Sequence, residues 1–249
     1  MKIVKYKKGR NNKYIVLLDN DIELSLYEEV ILKYELLLKK EIDNNLMHKI
    51  NETNQEWEVY YSGLNSLKSR MRSTKELREL LLNKEFNIYY INNAIEKLEK
   101  QGYLNDRSYV KAYINNQMIT TNKGPYVISR ELSDKGIDNN IINEEIVIYS
   151  DEDQIEKINK IINKGIKTNH TRGGNILKQK IYNDLKVLGY DISIINKEIS
   201  NYTFDDNSDI AKKEYDKLYR KLSRKYSGNE LKNKIREKMY LKGLKYEED

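Results

Sequence analysis

The side chains most able to do chemistry in this sequence are cationic, and they occur in blocks. Lysine and arginine number 45 against 39 aspartates and glutamates, which gives a formal net charge of +6. The largest block runs from Lys217 to Lys245, where eleven cations face two acids, Glu230 and Glu237. Concentrated like charge destabilises helices by self-repulsion, so this block predicts a partner that carries negative charge. A solvated surface without a partner is the alternative.

Three more cationic blocks lie near residues 68–78, 107–135 and 164–180. The last contains Gly173 and Gly174, whose backbone N–H groups at a helix start could bind a phosphate, although an ordinary helix start explains them equally well. From the four blocks we select sixteen candidates for contact with DNA or a protein partner. They are Arg70, Arg72, Arg78, Arg107, Lys111, Lys123, Arg130, Lys135, Lys167, Arg172, Lys178, Lys180, Arg220, Lys221, Arg224 and Lys225.

Residues for catalysis or metal binding are scarce. The sequence has no cysteine, and its two histidines, His48 and His170, are far apart. This leaves zinc sites and cysteine nucleophiles without ligands. No carboxylates form a recognisable acid–base pair, and no glycine-rich phosphate-binding motif is present. We therefore predict no catalytic residue, no cofactor and no metal, and a protein that is not an enzyme.

Membrane insertion is not expected either. The longest aliphatic run, Ile15–Leu18, is far too short to span a bilayer, and no apolar signal region follows Met1. The sequence predicts a cytoplasmic protein.

Short helices in a repeat are the elements that would position the cations. Phe86, Ile137, Tyr190 and Leu244 lie 51, 53 and 54 residues apart, and isoleucines follow the first three at offsets of five and nine. A glycine precedes the last three, while Glu85 precedes the first. Glycine readily takes the left-handed conformation that ends many helices. The pattern indicates a repeated helical unit of about fifty residues.

Each repeat reads as three helices, the middle one beginning at Thr74, Pro125, Gly174 or Gly228. A unit this small cannot bury its apolar face alone, so we expect a mainly α protein whose tandem three-helix repeats form an elongated, curved array. One ordinary helical domain is the alternative. The predicted boundaries are 57–104, 105–150 and 151–204 for three repeats, and 205–249 for a partial fourth.

Residues 1–56 predict a small β-hairpin or meander followed by helices, which would cap the first repeat. Ile3–Tyr6 and Tyr14–Leu18 flank a turn signal, and apolar residues alternate from Ile22 to Leu26. Ser25 and Glu28 resemble a capping box for a helix through about Lys40. Docking of another protein's strand at this sheet is the alternative role.

Several motifs resemble one known family. They are GYLND at 102–106, Tyr109, Ala112 and Tyr113 on one helix, Lys123-Gly124-Pro125, and ELSDKGID at 131–138. Together they resemble the bacterial RecX regulatory proteins, most closely over 101–138 and more weakly from about Tyr60 onward. The resemblance implies tandem three-helix repeats that bind the RecA–DNA filament, modulate its ATPase and strand exchange, and favour its shortening or disassembly.

The resemblance makes the expected function specific. The chain would be a non-enzymatic regulator in DNA repair, homologous recombination and the SOS response, binding the RecA filament and inhibiting its activity. We also expect a monomer that binds single- or double-stranded DNA weakly and without sequence preference. A helix-turn-helix transcriptional regulator is the alternative, although the middle helices lack a consistent set of base-reading residues. The acidic segment 138–156 reads as a solvated connection or a flexible joint between repeats.

Overall fold

The structure, a computed structural model, describes residues 1–204 and 208–245. It begins with an antiparallel sheet of strands β1 (Ile3–Lys8), β2 (Lys13–Leu18) and β3 (Glu23–Tyr27), in that spatial order. The predicted meander is therefore confirmed. Alternation along β2 and β3 buries Val16, Leu18 and Leu26, which form the core of the N-terminal region with the helix that follows.

That first helix, α1 (Glu28–Lys33), is shorter than the sequence suggests. The predicted capping box is wrong because Ser25 lies within β3, and Tyr27 precedes the helix without a side-chain cap. The predicted extension to Lys40 is also wrong. Glu35 takes a left-handed φ of 52°, and the N–H of fully buried Leu36 bonds back to the Ile31 carbonyl at 3.0 Å. Burial of Leu36 turns the chain inward and ends the helix.

Helices form most of the rest of the described chain, which confirms the mainly α fold class. They are α2 (Asn44–Ser69), α3 (Thr74–Leu82), α4 (Ile88–Lys100), α5 (Asp106–Thr120), α6 (Pro125–Asp134), α7 (Asn139–Glu145), α8 (Asp151–Lys167), α9 (Gly174–Leu188), α10 (Ile192–Ser200), α11 (Ser208–Leu222) and α12 (Gly228–Leu241). A 3₁₀ turn, Ile146–Ile148, follows α7.

Helices α2, α3 and α4 pack together, as do α8, α9 and α10, and α11 packs on α12, as expected for tandem three-helix repeats. All four middle helices, α3, α6, α9 and α12, begin at their predicted residues. The repeat boundaries remain predictions: α2 runs through residues 56 and 57, and the predicted fourth repeat includes 205–207 and 246–249, which lie outside the described residues.

Local signals account for the helix ends. Asp43 accepts a hydrogen bond from the Leu46 N–H at the start of α2, and Ser73 forms a full capping box with Glu76 at the start of α3. Gly136, Gly189 and Gly243 take positive φ angles of 77°, 85° and 68°, as the repeat pattern predicts for helix ends.

The described chain forms two compact units. One comprises 1–110 with 133–141, and its helices α2, α3 and α4 enclose an aliphatic core that includes Leu77, Leu81 and Leu98. The other comprises 111–132 with the described part of 142–249. There α8, α9 and α10 pack together, and α11 packs on α12 around Leu222 and Ile235.

A membrane-crossing helix needs a long apolar stretch, and none of the helices within residues 1–204 and 208–245 provides one.

Candidate interaction surface

The start of one middle helix bonds to the end of the next middle helix, and this joint occurs three times. In each, the residue that precedes a middle helix donates to a carbonyl directly before a left-handed glycine. The pairs are the Ser73 hydroxyl with Lys135 (2.8 Å), the Gly124 N–H with Leu188 (2.7 Å) and the Gly173 N–H with Lys242 (2.8 Å). The joint thus links α3 to α6, α6 to α9 and α9 to α12.

The joints leave no room for a side chain at Gly124, Gly136, Gly189 or Gly243. A Cβ on Gly136 would lie 2.7 Å from the Lys75 Cβ, and one on Gly124 would lie 2.7 Å from the Tyr190 backbone nitrogen. Gly102 also has a left-handed φ, of 75°, but a Cβ there would meet nothing within 4 Å. Gly136 therefore allows both the left-handed conformation and the close approach, Gly124 allows the close approach, and Gly102 allows the left-handed conformation alone.

Buried tyrosines reinforce the α6–α9 joint. The Tyr190 hydroxyl donates to the Asn122 carbonyl at 2.9 Å, and the Tyr149 hydroxyl donates to the Lys123 carbonyl at 3.2 Å. Both rings are buried, and burial raises the pKa of each phenol, so both remain donors. Their hydrogen bonds fix the backbone of the segment that carries Lys123.

Two of the sixteen predicted cations are held in half-buried ion pairs. Lys135 Nζ lies 3.0 Å from Glu76, and Lys123 Nζ lies 2.6 Å from Glu131. Burial alone would raise the pKa of Glu76. The hydrogen bonds from Lys135 and the Ser73 N–H, with nearby positive charge, instead hold that pKa below its usual value. These lysines contribute to the fold and are less available to a partner.

The remaining predicted cations fall into two groups, those that pair with another residue of the chain and those that do not. Arg70 lies 3.7 Å from Glu76, Lys111 lies 3.5 Å from Glu145, and Lys180 pairs with Asp184. Arg78 bonds to the Asn92 side chain, and Arg107 also has a partner within the chain. Arg72 lines a cleft in the unit formed by 1–110 and 133–141, called the N-terminal unit from here on. The other eight are exposed, and among the described residues they form no ion pair with a carboxylate: Arg130, Lys167, Arg172, Lys178, Arg220, Lys221, Arg224 and Lys225.

The densest group of unpaired cations lies on α11 and in the turn that follows it. Five cations at spacings of four, seven, eight and eleven residues line one concave surface, which we call the α11 stripe: Lys213, Lys217, Arg220, Lys221 and Arg224. The first four lie on α11 at a spacing that places them on one helix face, and Arg224 lies in the turn after Leu222. Lys225 does not line the surface. Lys217 lies 3.9 Å from buried Glu214, whose main partner is Lys242 at 2.6 Å, so four stripe cations are left without a carboxylate.

The charge block defined from the sequence begins at Lys217 and therefore leaves out Lys213, which is part of the α11 stripe. It precedes Lys217 by one helical turn, and helical spacing would have included it.

The predicted phosphate site at the start of α9 needs free N–H groups at Gly173 and Gly174, and at least one of them is occupied. The Gly173 N–H already donates to Lys242, so it is not free for an anion. Arg172 and Lys180 do line one concavity there together with His170, but Lys180 pairs with Asp184. Lys167 and Lys178 do not line it. The arrangement is better explained as a helix joint than as an anion site.

Comparison with known proteins gives consistent results. Residues 105–145 match the family model described as RecX, second three-helix domain. The regulatory protein RecX of Listeria monocytogenes is 32% identical over 226 residues, which covers 88% of this chain and 84% of that protein. The regulatory protein RecX of Bacillus subtilis is 30% identical over 207 residues, covering 83% and 78%.

Solved structures show the same fold. A crystal structure of regulatory protein RecX superposes with a TM-score of 0.72 at 23% identity, covering 81% of this chain and 99% of that one. The crystal structure of RecX from Lactobacillus salivarius gives a TM-score of 0.57 at 30% identity, covering 60% and 97%.

Proposed function

We propose that this chain, which belongs to the RecX family of regulatory proteins, binds the RecA recombinase and its filament on single-stranded DNA. In this proposal it inhibits the ATPase, strand exchange and growth or stability of that filament. It acts as a monomer in the cytoplasm, without a catalytic residue, cofactor or metal of its own.

The α11 stripe is the observation that carries the proposal. Lys213, Arg220, Lys221 and Arg224 point to one concave surface and have no carboxylate partner within the described residues. Holding like charges on one surface costs stability, and an anionic partner offsets that cost. Acidic protein surface and DNA phosphates are both suitable partners, and a RecA–DNA filament presents both.

Inhibition requires no chemistry from this chain. A ligand shifts an equilibrium only by its difference in affinity for the two states, so the chain must bind one filament state more tightly than another. Several weak cationic contacts on one chain add through effective concentration. DNA contributes a weak, sequence-independent share through its phosphates.

The helix-turn-helix alternative is less well supported. A recognition helix reads base edges with its N-terminal residues, which must be accessible. The residues preceding α3, α6 and α9 instead bond to Lys135, Leu188 and Lys242. The next repeat therefore covers these three helix starts, which favours a role other than base readout for them.

The direct test is DNA-dependent ATP hydrolysis by the cognate RecA with and without this chain. We expect the wild-type chain to lower the rate. A variant with Arg220→Glu, Lys221→Glu, Arg224→Glu and Lys225→Glu should need about tenfold more protein for half-inhibition, because it reverses three of the four unpaired cations of the α11 stripe and the neighbouring Lys225.

A matched control reverses four exposed lysines in the N-terminal unit: Lys5, Lys7, Lys39 and Lys40. It changes net charge by the same amount and should retain inhibition. An unchanged ATPase rate with the wild-type chain would contradict the function. Equal loss of inhibition in both variants would contradict the assignment to the α11 stripe.

A further inference from the structure

A cleft of about 590 Å³ lies in the N-terminal unit, away from the α11 stripe in sequence. Its lining comes from the β1–β2 turn, the start of β2, β3, α2, α3 and the connections before and after α3. The volume is in the range of small-ligand sites, roughly 300–1,000 Å³. Its size therefore suits a small ligand or one unit of a larger one.

Positive charge dominates this cleft. Lys13, Arg72 and Lys84 line it, against a single acid, Glu58. Glu58 lies 3.4 Å from Lys13 Nζ, which leaves Arg72 and Lys84 without a carboxylate partner among the described residues. Lys84 Nζ donates to the Ser62 hydroxyl at 2.8 Å, which holds the ammonium group at the cleft.

Two buried polar atoms of the cleft residues have no hydrogen-bond partner. They are Nε of Arg72 and the hydroxyl oxygen of Ser66. Buried polar groups in proteins almost always have a partner, and an unpaired one costs stability. Both groups can donate to an oxygen acceptor. Each atom is enclosed by protein, so the Arg72 and Ser66 side chains must rotate toward the cleft before either atom can donate to an oxygen of a ligand.

The tyrosines of the cleft add no negative charge. Tyr27 and Tyr61 stack with ring centroids 4.8 Å apart. Burial, together with the negative charge of nearby Glu29 and, for Tyr27, of Glu58, raises the pKa of each phenol to about 12. Glu29, whose carboxylate accepts from the Tyr61 hydroxyl, is outside the cleft lining. The rings serve as packed walls, because they pack against the core.

We infer that this cleft is a binding site for a phosphoryl group, held by Arg72, Lys84 and Ser66. The planar guanidinium of arginine donates a fork of N–H bonds that matches phosphate oxygens, and lysine adds a point charge. The phosphoryl group comes either from a polynucleotide backbone or from a small phosphorylated molecule. The inference rests on the cleft alone and does not depend on the recombinase proposal.

Trp57 provides the measurement. It is the only tryptophan of the sequence, and its ring centroid lies 5.9 Å from that of Tyr61, which lines the cleft. The full chain is titrated at low salt with inorganic phosphate, deoxyadenosine monophosphate and a short oligothymidylate while Trp57 fluorescence is followed. We expect a saturable change with at least one of these probes.

Variants test the assignment. Arg72→Gln and Lys84→Gln should each weaken binding about tenfold, since each removes a charged hydrogen-bond donor, and Arg72→Lys should lie between wild type and Arg72→Gln. Lys49→Gln, an exposed lysine on α2 outside the cleft, is the charge-matched control and should bind as wild type. Circular dichroism checks that each variant is folded. If Arg72→Gln does not fold, the test uses Lys84→Gln, at an exposed residue, and Ser66→Ala.

The three probes separate the sources of the phosphoryl group. Binding of the oligonucleotide without inorganic phosphate assigns the cleft to a polynucleotide backbone. Binding of inorganic phosphate or the mononucleotide assigns it to a small ligand. The inference is overturned if no probe binds, or if Lys49→Gln weakens binding as much as Lys84→Gln does. ATPase inhibition is measured separately, so its loss does not bear on this result.

Discussion

At the scale of single residues, backbone conformation explains most of the repeat pattern. Gly136, Gly189 and Gly243 end their helices at left-handed φ angles, and Glu85 occupies the equivalent position in the first repeat. Glu85 takes a φ of 61° despite its Cβ. The conformation is therefore set by the helix end itself, and glycine is the residue that adopts it without strain.

Replacing Glu85 by glycine should stabilise the protein. A left-handed residue with a Cβ costs roughly 1–2 kcal/mol, which glycine avoids. Glycine also has more conformational entropy in the unfolded chain, and this offsets about 0.5–1 kcal/mol of that gain. We expect a net gain of about 0.5–1 kcal/mol in the free energy of unfolding, measured by denaturant titration. The control Asn83→Gly has a right-handed φ of −65° and should destabilise. A loss of stability in Glu85→Gly would contradict the strain argument.

The Glu76–Lys135 pair makes stability depend on pH. The pKa of Glu76 in the folded chain lies below its ordinary value of 4.5, because the Lys135 hydrogen bond and charge and the Ser73 N–H favour the carboxylate. Its contribution is therefore present above that value and is lost as pH falls through the lower folded pKa. Thermal melts should show Glu76→Gln less stable than wild type at neutral pH, with the difference shrinking well below pH 4.5.

Exposed Glu79 on the same helix is the control for that measurement, because it forms no ion pair among the described residues. Glu79→Gln should differ little from wild type at either pH. A Glu76→Gln deficit that stays constant across the range would contradict the ion-pair explanation.

At the scale of elements, the joint between middle helices is the recurring unit of tertiary structure. A hydrogen bond of 2.7–2.8 Å joins Ser73 to Lys135, Gly124 to Leu188 and Gly173 to Lys242. Each joint satisfies a carbonyl near a helix C-terminus, where carbonyls lack intrahelical partners. The same hydrogen bond thus satisfies the helix end and connects it to another repeat.

Alanine at two left-handed glycines should separate these effects. Gly102→Ala introduces only backbone strain and should cost about 1 kcal/mol of unfolding free energy. Gly136→Ala adds a clash with Lys75 at 2.7 Å, so we expect a further loss of about 1–3 kcal/mol. Denaturant unfolding of both variants provides the comparison. Equal losses would mean that the α3–α6 joint tolerates a Cβ.

At the scale of the whole molecule, the distribution of charge matters more than its total. The net charge is only +6, yet the unpaired cations concentrate in particular places, above all the α11 stripe. Pairing within the fold removes others, such as Lys123 and Lys135, from the accessible set. Affinity for an anionic polymer therefore depends on a subset of the cations that the sequence contains.

DNA binding by this chain should fall steeply with salt and depend little on sequence. Each phosphate contact on single-stranded DNA contributes a slope of about −0.7 in log K against log salt. Reversing Arg220, Lys221, Arg224 and Lys225 should make the slope less steep by about 2–3, measured by fluorescence anisotropy with an oligonucleotide. Tight, salt-resistant binding to one duplex sequence would instead favour the transcription-factor alternative.

The sequence by itself determined the class of fold, the starts of all four middle helices and the left-handed glycine ends. These follow from signals within a few residues, such as Ser73 with Glu76 or Gly136 after α6, so they can be read without the rest of the chain. Sequence motifs also carried the family resemblance, which the RecX relatives bear out.

Only the tertiary structure decided which cations remain free and where the chain leaves donors unpaired. Lys135 meets Glu76 across 59 positions, and Ser73 meets Lys135 across 62. The end of α1 likewise depends on the burial of Leu36 against distant residues. Ion pairing and burial depend on neighbours that are distant in sequence, whereas caps and helix ends depend on neighbours within one turn.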